Sequence, residues 1–163
     1  MNILTGLAHV YGDNIDTDRI IPGKYTKTLD LSHLAAHVLE DLDPTFRERV
    51  QPGDILVAGR NFGCGSSREQ APLALKAAGI TAVIAHSFAR IFFRNGINVG
   101  LPLLEIGPHT IENGCQLTVD LVNGRVTDHT TNQTYQATKL PAVMLDILEA
   151  GGLVNYLKAH GNY

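Results

Sequence analysis

The stretch at residues 63–68, GCGSSR, combines two hydroxyls, an arginine and two glycines. Arginine binds carboxylates and phosphates through paired N–H groups, and glycines let a ligand approach the backbone closely. The apolar run at 55–58 precedes the stretch as a buried strand, and a helix-prone run at 73–78, which Gly79 ends, follows it. A loop at the start of a helix also presents free backbone N–H groups. The pattern therefore predicts a binding site for an anion, either a carboxylate or a phosphate.

The same hydroxyls also allow a purely structural interpretation as helix caps. Ser66 and Ser67 each match the capping box, since glutamate or glutamine stands three residues later in both cases. The sequence does not choose between the two boxes. The additional glycines, together with Arg60 and Arg68, favour a binding role beside the structural one.

Familiar nucleotide and nucleophile motifs do not fit this loop. A Walker loop needs Gly-Lys-Ser/Thr, which the chain lacks. The dinucleotide fingerprint needs a third glycine at the position of Arg68 and an acidic residue about 20 positions later, where Ala85 and His86 stand. The nucleophile elbow Gly-x-Ser-x-Gly is absent as well. The loop is therefore better suited to a small carboxylate than to a nucleotide.

An acidic, turn-rich segment lies near the start of the chain. Residues 12–22, GDNIDTDRIIP, contain the acids, and the basic stretch 24–28, KYTKT, follows them. From the residues alone, the acidic segment is a solvated turn with side chain–backbone hydrogen bonds, and the two lysines are ordinary surface charges. His33 and His37 lie four residues apart in a helix predicted at 31–42. No third ligand is recognisable, so the pair does not predict a metal site.

The order of apolar runs predicts an α/β fold in which the candidate residues share one edge of a sheet. Strand, helix and strand follow one another from residue 55 to residue 85, which indicates a parallel crossover. A second strand-to-helix junction at 86–95, with Ser87 as the helix cap, should lie at the same edge as the glycine loop. The Asn123-Gly124 pair predicts a hairpin. Further strands are expected at 3–10, 101–104, 117–122, 125–127 and 134–137, and further helices at 141–150 and 154–160.

Length, composition and charge limit the possible classes of protein. A chain of 163 residues, 44% hydrophobic and 18% charged, predicts one globular domain over residues 1–163. The net charge of −3 offers no basic surface for nucleic acid. No apolar run is long enough to cross a membrane and the N-terminus lacks signal-peptide features, so a cytoplasmic location is expected. Cys64 and Cys115 are too few for a disulfide scaffold or a four-cysteine cluster.

Three motifs in combination resemble those of a known family. The segment at 12–22, the glycine loop at 61–69, NFGCGSSRE, and the stretch at 87–95, SFARIFFRN, are similar to motifs of 3-isopropylmalate dehydratase small subunits. In that family the swivel domain of the aconitase superfamily forms a separate chain. The resemblance covers nearly the whole chain, and the three motifs together are highly specific.

The resemblance implies a swivelling β/β/α three-layer domain with a mixed, partly parallel sheet. Such a domain docks on a large subunit that holds a [4Fe–4S] cluster, so this chain would bind no metal or cofactor itself. The implied reaction isomerises a hydroxy acid by dehydration and rehydration, first of all 2-isopropylmalate to 3-isopropylmalate in leucine biosynthesis. The expected partners are the large subunit and a small di- or tricarboxylate, with no nucleic acid and no membrane.

The resemblance also assigns roles to matching positions. Ser66 corresponds to the base that removes a proton next to a carboxylate, and Arg68 corresponds to the clamp for a substrate carboxylate. Ser67 corresponds to a donor for the oxyanion or carboxylate, and Gly65 lends its backbone to the same site. Asp18 corresponds to an acidic residue that orients a histidine or basic group, expected from the partner chain.

Substrate choice is expected in the loop after Pro22, where Lys27 and Thr28 stand. An isopropyl group needs apolar contacts, whereas Lys27 suits a third carboxylate. On the breadth of the resemblance we nevertheless expect 3-isopropylmalate first, with homocitrate, citraconate and maleate as alternatives. A non-catalytic module that binds carboxylates is the alternative from another functional class.

Overall fold

The computed structural model describes residues 2–161, and within this range seven strands form one mixed sheet. The strands are β1 (Ile3–Val10), β2 (Ile55–Ala58), β3 (Ala82–Ala85), β4 (Leu103–Glu105), β5 (Gln116–Asp120), β6 (Arg125–Asp128) and β7 (Gln133–Gln136). Their order across the sheet is β4-β3-β2-β1-β5-β6-β7. β1 therefore lies in the middle of the sheet although it comes first in the chain.

The sheet has a parallel half and an antiparallel half, which meet at β1. The end of β1 pairs in parallel with β2, with Ala8 opposite Ile55, and β3 and β4 continue this half. The beginning of β1 pairs antiparallel with β5, with Ile3 opposite Asp120, and β6 and β7 continue the other half. The expected mixed, partly parallel sheet is confirmed.

Alternating side chains of the parallel strands contribute to two separate cores. Leu56 and Val83 belong to the core that the helices cover. Ile55 and Ile84 belong to a second core, which includes Val119 of the antiparallel half. Because successive side chains of a strand point to opposite faces, a short apolar strand can serve both cores. The arrangement stacks antiparallel strands, parallel strands and helices in three layers.

The described range also contains seven α-helices and one 3₁₀ turn, of which α6 and α7 follow the last strand. The helices are α1 (Thr17–Ile20), α2 (Leu31–His37), α3 (Phe46–Arg49), α4 (Gln70–Ala77), α5 (Arg90–Asn98), α6 (Ala142–Ala150) and α7 (Leu153–Ala159), and the 3₁₀ turn is Gly23–Tyr25. α4 links β2 to β3, which pair in parallel, so the predicted crossover is confirmed. No helix of the described residues is long and apolar enough to span a membrane.

The helix expected at 31–42 is shorter than its apolar spacing suggested. α2 ends at His37, because Val38 is extended and Leu39 has a positive φ of 55°. The Leu39 N–H donates to the carbonyl of Ile20 at 2.7 Å, and both Val38 and Leu39 are fully buried. Packing against α1 outweighs continuation of the helix, and periodicity alone could not indicate this.

Candidate active site

The glycine loop, residues 61–69, and the acidic segment, residues 12–22, lie side by side beyond the ends of β1 and β2. The Gly63 N–H donates to the Ile15 carbonyl at 2.7 Å, and the Thr17 N–H donates to a carbonyl of the loop at 2.8 Å. These bonds join the two segments in the manner of a short parallel bridge. Two motifs that are distant in the sequence therefore form one surface.

A second set of bonds fixes the start of both segments. The Asn14 N–H donates to the Arg60 carbonyl at 2.8 Å, and the Arg60 N–H donates to Asp13 Oδ1 at 2.7 Å. Asn61 Nδ2 donates to Asn14 Oδ1 at 3.2 Å, and both asparagines have positive φ values, which asparagine tolerates better than most residues. The acidic segment has the side chain–backbone bonds predicted for a turn, and it also frames the glycine loop.

Ser66 is exposed in the glycine loop, and Thr17 holds its backbone in place. The buried Thr17 hydroxyl donates to the Ser66 carbonyl at 2.9 Å and lies 3.3 Å from the Ser66 hydroxyl. The Ser66 Oγ atom therefore has one hydroxyl neighbour and an open side. Sequence analysis missed Thr17, whose only signal is its place between two aspartates.

Neither serine of the loop caps the helix that follows. α4 begins at Gln70, and Glu69 occupies its N-cap without a side-chain hydrogen bond. A separate turn intervenes, in which the Arg68 N–H donates to the Ser66 carbonyl at 3.0 Å. Both predicted capping boxes are wrong, because α4 begins after the start that either box implies, although before the helix-prone run predicted at 73–78. In the described part of the chain the Ser67 hydroxyl has no hydrogen-bond partner, so it is available to a ligand.

Arg68 and Asp18 form an ion pair at the same surface. Arg68 NH1 donates to Asp18 Oδ1 at 2.9 Å and lies 3.3 Å from the Ile21 carbonyl. The guanidinium and the Gly23 N–H, which also donates to Oδ1, hold the pKa of Asp18 below its usual value. The Asp18 side chain is 63% exposed and that of Arg68 26%. The basic group beside Asp18 is therefore Arg68 of the same chain, where the resemblance implied a group from a partner.

Glycines are required at three points of this surface. Gly63 has a φ of 83°, and a Cβ atom there would overlap the ring of Phe92. Gly65 has a φ of 95°, a conformation that side chains rarely adopt. A Cβ atom at Gly23 would stand 3.1 Å from NH2 of Arg68, so this glycine leaves room for the guanidinium. The backbone is thus shaped around both Phe92 and Arg68.

The predicted substrate loop, residues 24–28, lies next to the start of α4. Gln70 Nε2 donates to the Thr26 carbonyl at 3.1 Å, which ties the loop to this helix. Lys27 is exposed and Thr28 is half-buried. Within residues 2–161, no hydrogen bond or ion pair joins Lys27 or Thr28 to the glycine loop. The structure brings these two residues to the border of the site without contact to the serines.

The second strand-to-helix junction lies at the same edge of the sheet, as predicted. The Phe62 N–H donates to the Ser87 carbonyl at 3.1 Å, and the Ala89 N–H donates to the Phe62 carbonyl at 3.0 Å. Ser87 does not cap α5, whose N-cap is Ala89. The Ser87 hydroxyl instead accepts a hydrogen bond from the Asn61 N–H at 2.9 Å. The predicted cap is wrong because this hydroxyl supports the glycine loop.

The two cysteines are free and lie in different surroundings. Cys64 lies partly exposed in the glycine loop, whereas Cys115 is buried between the two halves of the sheet, where burial raises the pKa of its thiol. Among residues 2–161, no group of three histidines, cysteines, aspartates or glutamates could hold a metal ion. The described residues therefore do not fit a [4Fe–4S] cluster, and no chemical step on this chain is assigned to one.

Comparisons with known proteins identify the family. Residues 40–108 match the aconitase C-terminal domain family. The 3-isopropylmalate dehydratase small subunit of Nautilia profundicola is 53% identical over 159 residues, which cover 97% of this chain and 96% of that protein. The chain belongs to the family of 3-isopropylmalate dehydratase small subunits. A second member, 3-isopropylmalate dehydratase small subunit 1 of Methanopyrus kandleri, is 53% identical over 163 residues, with 98% and 95% of the two chains covered.

A solved structure from the same family agrees with the fold. The crystal structure of 3-isopropylmalate dehydratase from Methanocaldococcus jannaschii matches with a TM-score of 0.93 and 48% identity, over 98% of this chain and 95% of that one. The resemblance inferred from three motifs and the expected α/β fold are confirmed. The names of these relatives favour 3-isopropylmalate dehydratase over the homoaconitase and the citraconate or maleate alternatives. The roles of individual residues in the site stay predictions.

Proposed function

We propose that this chain is the small subunit of a 3-isopropylmalate dehydratase, which converts 2-isopropylmalate to 3-isopropylmalate in leucine biosynthesis. The observation that carries the proposal is 53% identity to small subunits of that name over almost the whole chain. The words "small subunit" in those names support a larger partner subunit. We assign the [4Fe–4S] cluster that the family implies to this partner, and we place the complex in the cytoplasm with a small dicarboxylate as substrate.

Ser66 acts as the base in this proposal. In the dehydration step it removes a proton from the carbon next to the one that loses the hydroxyl group, both of which carry a carboxylate. On rehydration it delivers a proton to the carbon that lost the hydroxyl, and water supplies a hydroxyl to the carbon that lost the proton. A serine hydroxyl is a weak base, so nearby donors must stabilise its alkoxide. The positive charge of Arg68, two residues along the loop, supplies such stabilisation. The Thr17 hydroxyl donates its proton to the Ser66 carbonyl, so from 3.3 Å it can only accept from the Ser66 hydroxyl. The exposure of Ser66 lets a substrate that rests on the larger subunit reach it.

Arg68 binds one substrate carboxylate. Its NH1 group faces Asp18 and the Ile21 carbonyl, so its other N–H groups remain for a carboxylate, whose geometry a guanidinium matches with two parallel bonds. Asp18 orients the guanidinium, which is the orienting role that the resemblance implied for it. The Ser67 hydroxyl and the Gly65 N–H are further donors for the same carboxylate or for a developing oxyanion.

Reconstitution tests the function. This chain is combined with a 3-isopropylmalate dehydratase large subunit that carries its cluster, and kcat/KM is compared for 3-isopropylmalate, homocitrate, citraconate and maleate. We expect the highest value with 3-isopropylmalate and no turnover by the isolated chain. A higher value with another of these acids refutes the substrate assignment. Tight carboxylate binding by the isolated chain, without turnover by the pair, would favour the non-catalytic module.

Ser66→Ala tests the assigned base. We expect kcat of the reconstituted pair to fall by about 10²–10⁴-fold, the usual contribution of general acid–base catalysis. Assembly and thermal stability should not change, because Ser66 is exposed. Ser32→Ala, which removes an exposed hydroxyl on α2, is the matched control and should keep full activity. Near-normal kcat in Ser66→Ala would exclude its role as base.

A second candidate, an enzyme for a tricarboxylate such as homocitrate, is supported by Lys27 alone. If its ammonium binds a third carboxylate, Lys27→Leu should lower kcat/KM for homocitrate roughly 30-fold. This corresponds to a loss of about 2 kcal/mol of transition-state stabilisation, because a charged hydrogen bond is removed. The value for 3-isopropylmalate, which has no third carboxylate, should fall less. Lys158→Leu, an exposed lysine on α7, is the control. Equal losses with both acids would refute the tricarboxylate role.

A further inference from the structure

Tyr25, His37 and Glu40 form a closed set of contacts beside the predicted substrate loop. The ring of Tyr25, in the 3₁₀ turn, stacks on the ring of His37 in α2, with 3.8 Å between centroids and 5° between planes. The Tyr25 hydroxyl donates to Glu40 Oε2 at 2.8 Å, and Glu40 Oε1 lies 2.9 Å from His37 Nδ1. One carboxylate therefore fixes both stacked rings. We call these three residues the Tyr25 clamp.

Further rings and charges surround the Tyr25 clamp. His33 meets both stacked rings edge-on, with centroids 5.6 Å from Tyr25 and 4.9 Å from His37. Lys24 Nζ lies 5.2 Å from the centroid of the Tyr25 ring. The His37 and Glu40 side chains are 28% and 26% exposed, so the clamp is a half-buried surface feature and not part of the core. His33 and His37, which lie four residues apart in the sequence, both contact the ring of Tyr25.

The clamp provides a second anchor for the substrate loop. Lys27 and Thr28 come shortly after Tyr25 in the chain, with only Thr26 in between. The Thr26 carbonyl accepts a hydrogen bond from Gln70, at the start of α4. The loop is thus held by α4 on one side and by the clamp on the other. Lys27 itself makes no hydrogen bond or ion pair within residues 2–161, so its position depends on these anchors.

We propose that Tyr25, His37 and Glu40 are positioning residues that place Lys27 and Thr28 against the substrate. This assignment rests on the proposed function. The clamp does not touch the substrate and takes no part in proton transfer. It sets where the loop stands, and so it determines KM and the preference among substrates. Specificity then depends on residues of α2 and the turn after it, as well as on the loop itself.

The protonation of the clamp is consistent with a fixed geometry. The hydrogen bonds from His37 and then Tyr25 hold the pKa of Glu40 below its usual value. The bond to Glu40 raises the pKa of Tyr25 above its usual value. Around neutral pH the carboxylate therefore accepts from both neighbours while the phenol keeps its proton. Both hydrogen bonds keep the same direction throughout the range in which a biosynthetic enzyme works.

The clamp can be observed in the full chain without any activity measurement. A proton NMR spectrum of the wild-type chain should show the His37 ring protons shifted upfield by the stacked Tyr25 ring. Tyr25→Leu should remove the shift, and Tyr25→Phe should keep it. Tyr156→Leu on α7, which removes a ring that lies 4.1 Å from that of His160 at a tilt of 31°, is the matched control and should leave the His37 signals in place. Unshifted His37 protons in the wild type would refute the clamp.

Kinetics of the reconstituted pair test the positioning role. We expect KM for 3-isopropylmalate to rise roughly fivefold to tenfold in Tyr25→Leu, with kcat within about twofold, because the loop is misplaced and the base is not. Tyr25→Phe and Glu40→Gln, which keep the stack, should give smaller increases. The ratio of kcat/KM for 3-isopropylmalate and citraconate should change in the same order. The Tyr156→Leu control should show wild-type values.

The possible failures can be told apart. A wild-type pair without dehydratase activity overturns the proposed function and this assignment with it. An active wild-type pair whose Tyr25→Leu and Glu40→Gln variants keep normal KM values and substrate ratios overturns the positioning role alone. If Tyr25→Leu does not fold, Tyr25→Phe and Glu40→Gln decide the question. A loss of kcat with unchanged KM would also contradict the role.

Discussion

Two polar clusters of this molecule use similar side chains, but they differ in whether the chain itself supplies hydrogen-bond partners for all their polar groups. In the buried cluster, His9 Nε2 lies 2.7 Å from Asp54 Oδ2 and His9 Nδ1 lies 3.1 Å from Arg49 NH1. Arg49 also pairs with Asp43, which accepts a bond from the Tyr11 hydroxyl at 2.7 Å. Arginine only donates, so Nδ1 of His9 must accept and Nε2 must donate to Asp54.

The surface formed by Ser66, Ser67, Arg68 and Asp18 is the open counterpart. Ser67 has no hydrogen-bond partner in the described chain, and Arg68 leaves part of its guanidinium to other ligands. His9 and Asp54 are only 5% and 6% exposed, whereas the Asp18 side chain is 63% exposed. A buried cluster must satisfy its own polar groups, since an unpaired one is costly. A binding surface needs groups that its own chain leaves unpaired.

The largest expected effect is a loss of stability when a residue of the buried cluster is removed. Asp54→Ala should lower the free energy of unfolding by about 3 kcal/mol, because His9 and the Gln51 N–H lose their buried acceptor. The activity of the folded, reconstituted fraction should stay normal. Urea denaturation measures the loss, with Asp146→Ala on α6, an exposed site, as the control within about 0.5 kcal/mol. A loss below about 1 kcal/mol would mean that the buried cluster is not structural.

Asp18→Asn should have a smaller effect, which lowers activity and leaves stability nearly unchanged. The free energy of unfolding should change by less than about 1 kcal/mol, because the pair with Arg68 is largely exposed. kcat/KM should fall about tenfold through a higher KM, since the guanidinium loses its charged partner. Asp146→Asn, at an exposed position on α6, is the control. A variant that loses stability and keeps its KM would place Asp18 with the structural cluster.

The smallest expected effect is the response of the Asp18–Arg68 pair to acid. The pKa of Asp18 is lowered in the folded chain, so its contribution is present above its usual pKa of 3.8 and is lost as the pH falls further. Wild-type chain should therefore lose slightly more stability than Asp18→Asn between about pH 5 and pH 3, by less than about 1 kcal/mol. Urea midpoints at both pH values measure the difference. Identical acid responses would mean that the pair has no energetic role.

The parallel half of the fold could be predicted from the sequence with small errors. Strands that are buried on both faces appear as continuous apolar runs, and the runs at 55–58 and 81–85 correspond to β2 and β3. The strand predicted at 101–104 begins only at Leu103, because Pro102 has no N–H to donate to a neighbouring strand. Such shifts follow from local chemistry and could have been anticipated.

The arrangement of the site could be predicted only in part. Residue type made Ser66 and Arg68 candidates, since hydroxyls, glycines and arginine together suit an anion site, and their roles stay predictions. The cap predictions failed because a separate turn places the start of α4 at Gln70, and the Ser66 hydroxyl lies beside the Thr17 hydroxyl of a distant segment. Asn61 and Ser87 likewise support the loop through bonds between distant segments. No local pattern in a single sequence reports such bonds.

The central place of β1 has a consequence for the order in which the chain acquires its structure. β1 leaves the ribosome first, yet its antiparallel neighbour β5 begins only at Gln116. Contacts between such distant segments form slowly, because a long loop must close before they gain anything. The parallel half, including the glycine loop, can therefore assemble during synthesis before β5 pairs with the other edge of β1. β1 therefore gains its second neighbour only after β2, β3 and β4 have been synthesised.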